Sequence, residues 1–288
     1  MARTKIVPGS AWALVTGAGS GIGRCFARRL AGMGYNLVLA GLRRETLEET
    51  KAEILARAEA GASVSQHEAG EAVKGLFRPD FRIVEIDLAR TKAAEELYAY
   101  TCAERLPIDV VINNAGMFSF RDVVTTPAER IERIILLHDL TNTQLCRLFA
   151  TEMIQRGCHG YLLNMSSYSQ WMPFPGLALY SASKAYLRAF SVAFAKEVRE
   201  YGIRVTAVCP AGVATDLYGL PPRWQRIGLR CGVLISADAC ARRGLRGLWR
   251  GRRTVVPDWW NRLWIPLCKL APMWLLRPVR RFTMKFQK

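Results

Sequence analysis

A chain of 288 residues, half of them hydrophobic and a tenth aromatic, is long enough to bury a full core and too apolar to be disordered. Its 41 Lys and Arg against 24 Asp and Glu give a formal charge of +17, concentrated in 217–288, where 16 basic residues face only Asp238 and Asp258. Eight cysteines without a Cys-x-x-Cys pair argue against a disulfide scaffold or a zinc site and for a reducing compartment, and no stretch of about 20 apolar residues is available to span a bilayer.

The elements alternate. Trp12–Val15 is a short apolar run ending in a glycine cluster, and a helical pattern follows from Ile22 to Met33. Asn36–Ala40 reads as a strand and Glu45–Ala58 as a polar-faced helix. Residues 61–80, rich in Gly, Ser, Glu and Ala without a clear period, read as a surface insertion. Strand Arg82–Ile86, helix Thr91–Glu104 and strand Asp109–Ile112 come next, then one long helix from Ala128 to Gln155. Strand Gly160–Asn164, a Ser-rich turn, helix Leu179–Tyr201 and strand Ile203–Val208 lead through a loop to helix Ser236–Arg250 and strand Thr254–Val256. Short buried strands alternating with amphipathic helices predict an α/β fold, a single doubly wound parallel sheet with helices on both faces over 1–257. Residues 258–288 form a basic, Trp-rich extension, and no repeat or linker interrupts the chain.

The turn after the first strand, Thr16-Gly17-Ala-Gly19-Ser20-Gly21-Ile22-Gly23, opens a helix. A phosphate needs backbone N–H groups and close approach at a helix N-terminus, so this context predicts a dinucleotide site. At the end of the second strand an acid would bind the adenosine ribose of NAD and repel a 2′-phosphate; here Arg43 and Arg44 stand instead. That favours NADP(H) over NAD(H), the alternative being two arginines on the solvent face of the next helix. Asp87, ending the third strand, is placed to accept from the adenine amine.

Tyr180 and Lys184 share one helix face. A cation about 4 Å from a phenol is worth about 4 kcal/mol at an effective dielectric of about 20, roughly three pKa units, enough to bring tyrosine near neutrality. Ser166-Ser167 ends a strand, where ligands gather in open parallel sheets, and its hydroxyl can polarise a carbonyl while Tyr180 transfers the proton.

With these motifs and Asn113-Asn114-Ala115-Gly116 and Pro210-Ala-Gly212-Val213-Ala-Thr215, the chain resembles the short-chain dehydrogenase/reductase family, with its Rossmann-type sheet, over roughly Ser10 to Val256. The step of 13 from Ser167 to Tyr180 matches that family and selects Ser167 over Ser166. The resemblance implies that Tyr180 is the proton donor or acceptor, that Lys184 bonds the nicotinamide ribose, and that Ser167 holds the carbonyl oxygen. It also implies that Asn113–Gly116 close the fourth strand against the cofactor, that Val213 and Thr215 meet the carboxamide, and that the chain is a homo-oligomer. The family's relay asparagine is missing. His138 stands at its place and Asp139 one step beyond, and either side chain can organise a water or simply be packed in the helix.

The final segment carries Trp259, Trp260, Trp264 and Trp274 beside apolar residues and Arg280, Arg281 and Lys285. It suits a headgroup boundary, or else a helix over the site or at a subunit interface. Nucleic acid is not expected, since no binding-module motif appears. Met1–Ser10 holds no apolar run, so the expectation is a cytoplasmic chain peripheral to the inner face of a membrane. The apolar loop Trp171–Pro175 and a lid over 213–235, with Leu217 to Leu234 facing the site, predict an apolar pocket. The reading is an NADP(H)-dependent enzyme interconverting a ketone and a secondary alcohol on a lipid-like substrate, such as a long-chain 3-ketoacyl, ketosphinganine or steroid compound. The alternative is a non-catalytic nucleotide- or lipid-binding relative at the membrane.

Overall fold

The computed structural model describes residues 7–59, 77–172, 174–215, 217 and 221–258. Most of the expected insertion at 61–80, residues 216 and 218–220 of the lid and the extension beyond Asp258 lie outside these residues.

Seven parallel strands form the sheet: β1 (Trp12–Thr16), β2 (Asn36–Gly41), β3 (Phe81–Glu85), β4 (Ile108–Asn113), β5 (Tyr161–Met165), β6 (Arg204–Val208) and β9 (Thr254–Val255). Their order is β3-β2-β1-β4-β5-β6-β9. The chain winds outward from β1 to one edge and then from β4 to the other, so a crevice opens above the C-terminal ends of β1 and β4.

Alternation along each strand explains why both faces are covered. Ala13, Val15, Leu37, Leu39, Val110 and Ile112 enter one core with Phe26 and Leu30 of α1 (Gly21–Ala31), Leu47 and Ile54 of α2 (Arg44–Glu59), and Leu245 and Leu248 of α8 (Ala237–Trp249). Trp12, Leu14, Val38, Val111, Leu162 and Val205 point the other way. They meet Leu97 of α3 (Ala93–Ala103), Phe149 and Met153 of α5 (Asn142–Gln155), and Ala195 of α6 (Ala178–Glu197). Strands sandwiched in this way read as nearly continuous apolar runs. Asp238 fastens α8 to α1 by accepting from Arg28 and from both Nε and Nη2 of Arg29.

Two departures from the sequence reading bear on the site. The expected helix from Ala128 to Gln155 is α4 (Ala128–Ile135), a π turn (Leu136–Thr141) and α5. The Asn142 amide donates to the carbonyls of Leu137 and His138 at 2.8 Å each, satisfying acceptors that the wider turn disturbs. The expected lid loop contains a parallel strand pair, β7 (Gly212–Ala214) and β8 (Leu234–Ser236), joined through α7 (Pro222–Arg230). No described helix is long and apolar enough to cross a membrane.

Candidate active site

The glycine turn is built by exclusion. Gly17 and Gly21 take φ values of +63° and +52°, a region costly for residues with a Cβ. A Cβ on Gly23 would lie 2.1 Å from the Gly17 carbonyl oxygen, so this glycine lets α1 close on its own entry loop. The turn is then fastened to the end of β4. The Thr16 hydroxyl accepts from the backbone N–H groups of Asn114 and Ala115 at 3.0 Å each. In return the Asn114 amide donates to the Thr16 and Gly17 carbonyls. Thr16 and Gly23 therefore lie behind the turn and shape it, while Gly17, Gly19, Ser20, Gly21 and Ile22 face a cleft of about 450 Å³.

Arg43 and Asp87 line one end of that cleft, with Arg133, Thr46 and Leu42 beside them. Arg133 donates to one Asp87 oxygen at 3.0 Å, and the other accepts from Ala89 N at 2.9 Å. Arg44 is not part of the lining; it is exposed and pairs with Glu48 one turn along α2. Of the two expected guanidiniums, only Arg43 borders the cleft.

At the other end the structure brings together Ser167, Tyr180, Lys184, Asn114, Ala115, Gly116, Pro210, Val213 and Thr215. Gly212 packs on Leu234 instead, where a Cβ would come within 2.4 Å of the side chain. The Pro210 carbonyl accepts from Tyr168 N at 2.8 Å, tying the turn after β6 to the serine loop after β5. Ser166 and Ser167 have different tasks. The Ser166 hydroxyl donates to the Lys184 carbonyl at 2.7 Å and is committed to holding α6. Ser167 Oγ accepts from Ser169 N at 3.1 Å, which leaves its O–H to donate into the cleft.

The Tyr180 ring is buried edge-on to Phe118, with centroids 5.1 Å apart, and edge-on to His138 at 5.9 Å. Lys184 Nζ lies 5.7 Å from the Tyr180 ring centroid and donates to the Met165 carbonyl at 2.9 Å. Burial pushes the lysine down to about 8, against the pull of Asp139 and Cys209. Burial likewise pushes Asp139 up to about 6, with Lys184 opposing.

His138 occupies the place of the family's asparagine, but its ring is fully buried and off the cleft lining. Nε2 accepts from Met117 N at 3.1 Å, so Nδ1 carries the proton of the neutral imidazole and donates to Ser183 Oγ at 2.9 Å. Ser183 in turn donates to the Tyr180 carbonyl at 2.9 Å. Both ring nitrogens are thus used to join the loop after β4 to the first turn of α6. Burial, with Lys184 nearby, holds the imidazole well below its usual range.

His138→Leu, which leaves the Met117 N–H and the Ser183 hydroxyl short of partners, is expected to cost about 1–3 kcal/mol of folding stability; His138→Asn, which restores an acceptor, should recover part of it. Below pH 6.5 the unfolded chain binds a proton on His138 that the folded chain refuses. Stability therefore falls with acid in the wild type, and this contribution is absent from His138→Asn; thermal unfolding between pH 5 and 7.5 measures it.

Among the described residues no group of His, Cys, Asp and Glu is arranged to hold a metal ion. The cleft fits a dinucleotide, since glycines border it where a side chain would intrude: a Cβ on Gly19 would lie 2.3 Å from Thr46 Oγ1, and one on Gly21 3.2 Å from the Thr215 methyl. Leu217 borders the cleft as the lid reading expects, whereas Arg133, Thr46 and Met117 escape sequence reasoning. They follow no spacing rule and reach the cleft only through tertiary packing.

Comparison with known proteins agrees with this arrangement. Residues 11–222 match the short chain dehydrogenase family. The chain is 32% identical over 207 residues to a very-long-chain 3-oxoacyl-CoA reductase of Pyrenophora tritici-repentis, covering 71% of this chain and 55% of that one. It is 30% identical over 203 residues to the probable oxidoreductase EphD of Mycobacterium tuberculosis, covering 70% and 31%. The chain thus spans about half or less of the length of these curated relatives. Among solved structures, a short-chain dehydrogenase from Sphingobium yanoikuyae in complex with NADPH is 28% identical with a TM-score of 0.70, covering 88% of this chain and 92% of that one. A bulky-bulky ketone specific alcohol dehydrogenase from Comamonas testosteroni is 26% identical with a TM-score of 0.70, covering 90% and 91%. A glycine turn locked to the end of β4, with serine, tyrosine and lysine gathered at the far end of the same cleft, agrees with the match along the sequence: the chain belongs to the short-chain dehydrogenase/reductase family.

Proposed function

We propose that this chain is an NADP(H)-dependent oxidoreductase that interconverts a ketone and a secondary alcohol on a bulky, hydrophobic, lipid-like substrate. The observation that carries the reading is that Ser167, Tyr180 and Lys184 line the same cleft as the glycine turn.

A nicotinamide dinucleotide bound along the cleft supplies the hydride. The chain's own groups do the rest. The Ser167 hydroxyl donates to the substrate oxygen and holds it toward Tyr180. Tyr180 gives its phenolic proton to that oxygen in reduction and takes it back in oxidation. The Lys184 ammonium favours the phenolate left behind by its charge, and it stays protonated at neutral pH with a value of about 8. Val213 and Thr215 border the cleft, Thr215 beside Gly21, where they would set which face of the nicotinamide meets the substrate.

NADP(H) is favoured over NAD(H) because Arg43 borders the cleft and no acid ends β2. The substrate class rests on Met117, Leu137 and Leu217 in the lining, on the long-chain acyl substrate in the fungal relative's name, and on the bulky ketones named for the Comamonas enzyme.

A substrate panel tests the reading. NADPH oxidation should be faster with a long-chain 3-ketone than with a small polar ketone, and faster than NADH oxidation; equal rates across the panel would remove the lipid assignment. Arg43→Ala should raise KM for NADPH about 10–100-fold, the worth of a charge-assisted contact to phosphate, with KM for NADH unchanged.

A further inference from the structure

We propose that α7 and the turn after it form a docking face for an anionic lipid surface, at the mouth of the cleft. Helix α7, Pro222–Arg230, has no buried residue. Trp224 is 53% exposed and Val233 68%, and Ile227, Leu229 and Leu217 are exposed as well. Leu217, a few residues before the helix in sequence, also lines the cleft.

The orientation of α7 is set by Gly228. A Cβ there would lie 2.7 Å from the Leu234 side chain, so this side of the helix rests on β8. At about 100° per residue, Arg223, Arg226 and Arg230 fall on the opposite side, and all three are exposed. Ile227 forms one shoulder of this ridge and Leu229 the other, while Trp224 lies nearer the Gly228 side of the helix and is still half exposed. The Arg223 guanidinium lies 5.3 Å from the Trp224 ring centroid, an apolar body capped by a cation.

Between Pro221 and Ser236 no acid offsets the arginines. The next acid after this stretch, Asp238, is held by Arg28 and Arg29. Exposed tryptophan and aliphatic side chains beside a basic ridge match a headgroup boundary, where arginine stays with phosphate and the apolar side chains enter the acyl edge. Duplex nucleic acid would use the arginines but leave Ile227, Leu229 and Val233 in water.

This docking face stands apart from the oxidoreductase reading, because vesicle binding and turnover are measured separately. The test is cosedimentation of the full chain with vesicles of phosphatidylcholine alone and with about one-third phosphatidylglycerol. Binding is expected only to the anionic vesicles and is lost at high ionic strength. The combined change Arg223→Gln, Arg226→Gln and Arg230→Gln should weaken it about a hundredfold. Trp224→Ser with Ile227→Ser should weaken it about tenfold or more with every charge retained. An unchanged thermal transition confirms that both variants fold.

Four results would overturn the proposal. These are wild-type vesicle binding by the arginine variant, which assigns attachment to 259–288; binding indifferent to lipid charge; tighter retention on random duplex DNA than on vesicles; or a solution dimer that Trp224→Ser dissociates.

Discussion

Tyr180→Phe is expected to lower ketone reduction by about 10²–10⁴-fold while leaving NADPH affinity unchanged, the range of a positioned general acid. The substitution deletes the phenol oxygen and little else. The ring is held by edge-on contacts with Phe118 and His138, which phenylalanine preserves. The backbone of its turn is held by Ser183 donating to the carbonyl of residue 180, which the side chain does not affect. Fluorescence titration with NADPH measures the binding arm, and single-turnover reduction measures the chemical arm. A variant that retains the wild-type rate would mean that the proton comes from elsewhere.

Lys184→Met should abolish turnover and at the same time stabilise the fold. Lys184 is buried, and its depressed value of about 8 records the cost of keeping an ammonium there. Relative to an ordinary lysine near 10.4, that depression corresponds to about 3 kcal/mol at pH 7, an upper bound on the gain. The Met165 carbonyl loses its donor in the variant, so a net stabilisation of about 1–2 kcal/mol and a rise in Tm of several degrees are expected. The pH dependence is distinctive. Between about 8 and 10.5 the folded wild type has released the proton while the unfolded chain still holds it. Wild-type stability therefore climbs with pH across that window, and its gap to Lys184→Met closes. Equal stability of the two proteins at pH 7 would mean that the buried charge costs nothing.

Much of the scaffold was legible because its causes are local. Continuous apolar runs such as Asn36–Gly41 mark strands covered on both faces, and the glycine turn is a steric necessity readable from residue types alone. Other features depend on contacts distant in sequence. The π turn at Leu136–Thr141 inserts one residue into an otherwise continuous helical pattern, and hydrophobic spacing is too coarse to register it. Strands β7 and β8 have three residues each and exist through pairing across 22 residues, so neither has a period of its own. Arg133 reaches Asp87 across 46 residues of sequence. From its place in the chain, His138 is a relay candidate in the stead of the family's asparagine. Only the geometry shows that both its nitrogens serve Met117 and Ser183, making it a residue that positions α6 against the loop after β4. Ser166 and Ser167 are alike in sequence and are separated by one hydrogen bond, from Ser166 to the Lys184 carbonyl.

The most direct test is isotopic. Reduction of a long-chain 3-ketone should be followed with NADPH carrying deuterium at both C4 positions of the nicotinamide, at pH 7. The expected result is one deuterium on the carbinol carbon of the product and a solvent-derived proton on its oxygen, with the yield lost in Tyr180→Phe. Tight NADPH binding with no deuterium reaching any ketone, or equal transfer in Tyr180→Phe, would contradict the account.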